Sequence, residues 1–300
     1  MRSSYITQVP LSIPAETSAL YRPNELQNSG LVSHDTMTGT FIHPLISFVD
    51  KTFVIAEFEL RKLRHDFTEL ITRALQPALW LLIFGQVFAR SGMMHTGNIP
   101  YLDFIAPGIL AQSVLFVAIF YGINVIWERD LGIVQKFLVS PTPRTALVLG
   151  KGLSAGIRTL SQAIVVYGLS LFLGVRLNWS PLALLNVFVV VVLAATLFST
   201  FSLIIACIVK TRERFMGVGQ VLTMPLFFAS NAIYPTDIMP AWLKVISHLN
   251  PLTYVVDALR TSMLSSSQST FGLGMDYAVI FLTTIVLVFI GARLYPQLGV

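Results

Sequence analysis

Six apolar runs of roughly bilayer length divide this chain, and they leave it few possible folds. They cover residues 70–88, 104–126, 159–175, 183–209, 215–233 and 277–292. A hydrocarbon core about 30 Å thick takes about 20 residues of helix to cross. No water reaches a backbone amide there, so only helices or closed barrels satisfy it. A barrel needs segments of about ten residues that alternate apolar and polar, and the chain has none. Only 12% of its residues are charged, against about 25% in a soluble domain. The sequence therefore predicts an all-α integral membrane protein with six transmembrane helices over residues 70–300.

Charge placement orients those spans. An even number puts both termini on one face, and 16 of the 20 Lys and Arg residues then fall on that face. The positive-inside rule makes it cytoplasmic. This predicts a multi-pass protein of a bacterial-type plasma (inner) membrane, surrounded by lipid, with both termini inside. The net charge of +5 is spread over loops, so it gives no nucleic-acid footprint. The single Cys207 permits no internal disulfide, and the five histidines are scattered without metal-ligand spacing. No basic start followed by an apolar core marks a signal peptide.

Two further segments have a pattern of their own. Residues 1–45 are rich in Ser, Thr, Pro and Asn and read as a disordered cytoplasmic tail. From 46 to 69 an apolar stripe that includes Phe53, Leu60 and Leu63 steps by three and four among charges, predicting an amphipathic interfacial helix before the first span. Between spans five and six, Tyr234 and Pro235 lead into two short semi-apolar pieces separated by Asn250-Pro251. These predict an outer interfacial or re-entrant helical hairpin, with Trp242 and Tyr254 at headgroup depth. Within it, Asp257 and Arg260 read as a plain surface ion pair.

The spans offer little chemistry. Beyond Arg73 at the start of the first, they hold no Asp, Glu, Lys, Arg or His. Ion-coupled carriers keep an ionisable group or an unwound helix near the midplane, which disfavours that class. Polar residues such as Gln112, Ser113, Ser199, Thr200, Ser202 and Asn231 read chiefly as interhelical hydrogen-bonding groups. Phe84, Gln112, Phe116, Phe120 and Tyr121 suggest an aromatic, weakly polar pathway, although lipid-facing Phe is as good a reading of any one of them. No phosphate-binding loop, nucleophile elbow or zinc-peptidase motif is present, so no catalytic centre or metal site is expected. Energy for transport would have to enter from outside. The candidate entry is the charged loop 127–144, in which Glu128, Arg129 and Asp130 precede a short helix over 131–139. Leu131, Gln135, Phe137 and Leu138 lie on that helix, with Phe137 and Leu138 as anchors for a partner.

Four features give the chain a family likeness: the amphipathic helix, the run Trp-Glu-Arg-Asp-Leu-Gly-Ile-Val-Gln-Lys-Phe-Leu-Val-Ser-Pro from Trp127, Ser-Asn-Ala-Ile-Tyr-Pro closing span five, and Asn-Pro-Leu-Thr-Tyr-Val-Val-Asp-Ala-Leu-Arg from Asn250. Their order resembles the membrane subunits of type-2 ABC exporters (ABC-2 type), in particular the daunorubicin-resistance permease group. The resemblance implies a permease without its own catalytic site, paired with a cytoplasmic ABC ATPase that carries ATP and Mg. It also implies a permease homodimer, or pairing with a related permease, with the pathway between the copies. Residues 131–139 would be the coupling helix, 49–67 the connecting helix, and the hairpin with Asn231, Tyr234, Pro235, Asn250 and Pro251 a cap on the outer mouth. The substrate class would be hydrophobic or amphiphilic: a drug-like molecule, lipid or lipid-linked glycan. The alternatives from other classes are an ion-coupled secondary carrier, a membrane enzyme and an assembly scaffold.

Overall fold

Long apolar stretches that form no barrel satisfy their backbone by coiling on themselves, and most of the described chain does so. The computed structural model describes residues 72, 75–91, 99–139, 144–209, 211–265 and 269–299. All of these belong to one unit, Ser47–Val300. The expected tail over 1–45 and the amphipathic helix over 46–69, with Phe53, Leu60 and Leu63, lie outside the described residues.

Nine helices follow one another among the described residues: α1 (residues 75–91, with a π stretch at Trp80–Gly85), α2 (Tyr101–Asp130), α3 (Ile133–Val139), α4 (Arg144–Phe172), α5 (Pro181–Ile208), α6 (Arg212–Phe228), α7 (Ala241–Leu249), α8 (Pro251–Met263) and α9 (Leu273–Leu294). A 3₁₀ turn, Tyr295–Gly299, continues from α9. The described backbone outside helices includes one isolated antiparallel bridge, Leu177 to Leu264. Four helices are long and apolar enough to cross a membrane: α2, α4, α5, and α9 with its 3₁₀ extension.

The fifth expected span is shorter as a helix. At 1.5 Å per residue the 17 residues of α6 rise only about 26 Å. The sequence reading carried this span to residue 233, but the helix stops at Phe228 and turns through Ala229–Ala232. Ser230 explains the stop: its hydroxyl donates to the Phe227 carbonyl at 2.7 Å and accepts from the Ala232 N–H at 3.3 Å. A side chain that serves backbone groups in this way competes with helix continuation.

The helices also extend beyond the drawn apolar runs and take ionisable residues with them. Asp103 lies in α2, Lys151 and Arg158 in α4, and Asp276 in α9. The polar residues inside the runs bind differently from the interhelical reading. Ser113, Ser199 and Thr200 each donate to a carbonyl of their own helix, at Ile109, Thr196 and Thr196. Ser202 does cross, donating to the Ile119 carbonyl of α2. Back-bonding wins because the carbonyl one turn earlier is always within reach of a short hydroxyl.

α2 is the axis of the packing. It touches α1, α3, α4, α5, α6 and α8, and α5 packs between α2, α4 and α9. Close approach rests on small residues. Gly152 and Gly156 of α4 lie against Thr196 and Val192 of α5, and Gly122 of α2 faces Ser202 and Phe215. The tightest approach of backbone to backbone is at Gly108 of α2, where an added Cβ would collide with the carbonyl of Ala232. The turn after α6 is thus pressed onto the axis.

The two ends of α2 define two ends of the molecule. At one, the Tyr101 hydroxyl donates to the Ile233 carbonyl at 3.2 Å, and α8 packs on α2, α5 and α9. At the other, α3 and the 3₁₀ turn share a second core with Val125, Ile126, Phe215 and Val288. Gly108→Val should therefore lower the unfolding temperature of the purified, detergent-solubilised protein, with an overpacking cost of about 1–3 kcal/mol. Gly168→Ala, with no atom near its added methyl, should leave that temperature unchanged or slightly raised.

Candidate functional site

The loop that the sequence marked as an energy entry is a helix–turn–helix corner. α2 ends at Asp130, and Leu131-Gly132 form the turn, with Gly132 at φ 71°. A positive φ of this kind is open to glycine at no steric cost, so the chain reverses here and starts α3 at Ile133. The expected helix over 131–139 is thus two residues shorter, and Leu131 sits in the turn.

α3 is seated by one residue and exposes others. Val134 is fully buried against Ile126, Val148, Tyr295 and Leu298 in the second core, and Leu138 packs at its edge. Leu131 is 67% exposed, Phe137 39% and Val139 88%, and Gln135 is exposed beside them. The anchors therefore divide their work. Leu138 belongs partly to the seat, whereas Leu131, Phe137 and Val139 offer apolar surface that none of the described residues covers.

Charges fix the corner to its neighbours. Glu128 accepts from Lys151 of α4. Asp130 bridges Arg129 at 3.0 Å and Arg212 of α6 at 2.7 Å. The Arg212 guanidinium also lies 3.5 Å from the centroid of the Trp127 ring, a cation–π contact. The ends of α2, α4 and α6 are joined in this way around the turn. Lys151, Arg212 and the Val134 seat were not singled out in the sequence, because long-range partners leave no local pattern.

The other end holds the hairpin. Asn250 caps α8, its side chain accepting from the Leu252 N–H at 3.0 Å while its amide donates to the Leu226 carbonyl at 2.7 Å. Pro251 takes the first helical position, where its missing N–H costs nothing. Asn231 is buried, and the Tyr234 hydroxyl donates back to the Phe228 carbonyl. α7 turns Trp242, Val245, Ile246 and Leu249 outward. Tyr254 is buried in the protein, its hydroxyl donating to the His248 carbonyl at 2.8 Å.

The expected surface ion pair of Asp257 and Arg260 is also corrected: both residues are buried. Arg260 donates to the Asn231 carbonyl at 2.8 Å and to the Phe104 carbonyl at 3.4 Å, and lies 3.9 Å over the Phe104 ring. α8 is enclosed by α2, α5 and α9, and a helix enclosed on all sides buries even the residues that its pattern marks as polar.

The aromatic and polar residues of the suggested pathway lie on α1 and α2. Phe84 stacks on Trp80 at 4.5 Å and on Phe88 at 6.3 Å, in a column that continues to Tyr101. Phe116 and Phe120 pair at 6.2 Å, and Tyr121 lies 6.0 Å from the Arg158 guanidinium. Gln112 is buried within the subunit.

A family model described as ABC-2 type transporter matches residues 51–264, which include the corner, α3 and the hairpin. The chain belongs to the ABC-2 type transporter family. It is similar to ycf38 of Cyanophora paradoxa, named as a transport permease, at 30% identity over 71% of this chain and 74% of that protein. It is 27% identical to the inner membrane transport permease YadH of Escherichia coli K12, over 72% of this chain and 87% of the relative. The daunorubicin resistance ABC transporter permease protein DrrB1 of Streptomyces coeruleorubidus matches at 25%, over 67% and 70%. This ABC-2 chain is thus a membrane transport permease, of a family that normally works with an ABC ATPase.

The hairpin geometry gives a direct expectation. Arg260→Ala strands a buried carbonyl and leaves the Asp257 charge unopposed, and it should lower stability by about 3 kcal/mol or more. Arg260→Lys should recover only part, because one ammonium cannot meet two carbonyls and cover a ring as a guanidinium does. Thermal unfolding of the three proteins in detergent measures both.

Proposed function

We propose that this permease is the membrane-spanning subunit of an ATP-driven exporter, and that a separate cytoplasmic ABC ATPase engages it at Leu131 and α3. The observation that carries this reading is the corner itself. It is a short helix seated by Val134, clamped by ion pairs to α4 and α6, and left with Leu131, Phe137 and Val139 uncovered. A few apolar anchors rimmed by charge are what a docking surface needs. A push on α3 would pass into α2, α4 and α6 together, because Glu128 and Asp130 tie their ends around one turn. ATP and Mg would be handled on the partner chain.

The reading extends to architecture. α1 and α6, with the turn and hairpin that follow α6, supply the first and fifth of six spans, and the hairpin re-enters the membrane from the outer side. Both termini and the corner face the cytoplasm in this reading, which the distribution of Lys and Arg supports. Two permeases pair, and the pathway runs between them. Supporting this, α1 exposes Leu75, Leu79, Leu82, Ile83 and Phe84, and α6 exposes Met216, Val218, Val221 and Met224. Apolar surface on that scale is covered by lipid or by a second subunit. An apolar pathway suits a hydrophobic or amphiphilic substrate, such as a drug-like molecule, a lipid or a lipid-linked glycan.

The docking assignment is tested by co-purification of the cognate ATPase with tagged permease. Phe137→Asp and Leu131→Asp should reduce recovered ATPase about tenfold, as expected when an apolar anchor worth ≥ 1.4 kcal/mol is lost, while the amount of permease in the membrane is unchanged. ATPase recovery equal to wild type in both variants overturns the assignment.

A further inference from the structure

The stretch from Ser269 to Gly272 hands its polar groups to two carboxylates beneath it, Asp257 of α8 and Asp276 of α9, both fully buried. Asp257 is saturated with donors. Its Oδ2 accepts from the Thr270 N–H at 2.8 Å, the Phe271 N–H at 3.2 Å and Ser269 Oγ at 2.8 Å. Its Oδ1 accepts from the Thr270 hydroxyl at 3.0 Å. With two backbone N–H groups already on Oδ2, that oxygen can only accept from Ser269.

Asp276 is treated differently. Its Oδ2 lies 3.1 Å from Ser269 Oγ, and its buried Oδ1 has no hydrogen-bond partner among the described residues. Ser269 decides where the proton is. A hydroxyl has one hydrogen to donate and two lone pairs to accept with. One lone pair takes the Gly272 N–H at 2.7 Å. The single hydrogen can serve only one carboxylate, and Asp257 is the nearer and can only accept. Asp276 Oδ2 then faces the remaining lone pair of Ser269, an attractive contact only if a hydrogen lies between them. That hydrogen must come from Asp276.

We propose that Asp276 is a proton-binding residue, held as the neutral acid and donating through Oδ2 to Ser269, so that one proton fastens α9 to the Asp257 anchor of α8. The free Oδ1 agrees with this: leaving a neutral carbonyl oxygen unbonded costs far less than leaving a buried charged one unbonded. The neighbours supply little to hold a second negative charge. On α8, Arg260 is engaged by the Asn231 and Phe104 carbonyls. On α2 stands another carboxylate, Asp103, with Arg176 of the loop after α4 beside it. On α7, His248 meets the Phe271 ring edge-on at 5.4 Å, and Tyr277 follows Asp276 on α9. The ionisable residue of α5, Cys207, belongs to the opposite core. Loss of the proton would break the Ser269 bridge and set two carboxylates against each other, loosening the hairpin end as pH rises. The inference rests on hydrogen-bond stoichiometry and is independent of the ATPase-docking reading.

Infrared spectroscopy of the purified full-length permease at about pH 7 tests it. One carbonyl band of a protonated carboxylic acid, shifting in D₂O, is expected in the wild type. It should vanish in Asp276→Asn, persist in Asp103→Asn, and move in frequency in Ser269→Ala. Thermal unfolding supplies the second readout: relative to Asp276→Asn, the wild type should lose stability as pH rises, since the folded state then holds a proton that the unfolded state has released. Absence of the wild-type band overturns the proposal, as does its loss in Asp103→Asn. If Asp276→Asn does not fold, an unmoved band in Ser269→Ala overturns it.

Discussion

The contact on which the hairpin end depends is the seating of one backbone turn on the axial helix. Gly108 offers no side chain where Ala232 arrives, and the Arg260 guanidinium spans the gap by holding the carbonyls of Phe104 and Asn231 together. A cation is an expensive choice for so enclosed a place. It is tolerated because its donors meet carbonyls, its face lies on an aromatic ring and Asp257 sits one turn away. With the turn fixed, the chain after α6 has one direction to take, and α7, α8 and the approach to α9 follow from it.

Membrane helices are drawn together by close packing and polar contacts, because lipid is as apolar as their own side chains. This chain uses both, at different places. Small residues carry the long α4–α5 contact, where Gly152 and Gly156 admit Thr196 and Val192. Polar contacts gather at the two ends of the bundle. One end has ion pairs that remain partly exposed, joining three helix ends around Gly132. The other has buried carboxylates bonded to loop amides and hydroxyls. The middle is left to apolar cores, and the ends do the holding.

The sequence displayed the helices well and their ends poorly. Runs of Val, Leu, Ile and Phe announce α2, α5 and α9 because burial or lipid contact is needed all round them. The end of α6 was misjudged because residues 229–233 are as apolar as the helix before them, and only the local bonds of Ser230 reveal the turn. The charges from Glu128 to Asp130, followed by Leu131, Phe137 and Leu138, marked the corner as an ordered element. Its seat could not be read, since Val134 meets Tyr295 and Leu298 from the far end of the sequence. Asp257 and Arg260 looked exposed because a polar residue on a short helix usually is, whereas Asp103 and Asp276 were passed over as span boundaries.

The Tyr295–Gly299 turn has a consequence for the order in which the molecule is made. α3 leaves the ribosome early, yet the core beneath Val134 includes Tyr295 and Leu298, both buried there. A partly synthesised chain can hold α2, α4 and α5 in the bilayer while this corner still lacks its floor. The exposed face of Leu131, Phe137 and Val139 therefore takes its final shape only after translation has passed α9, so a truncated product would present a partner with an unfinished surface.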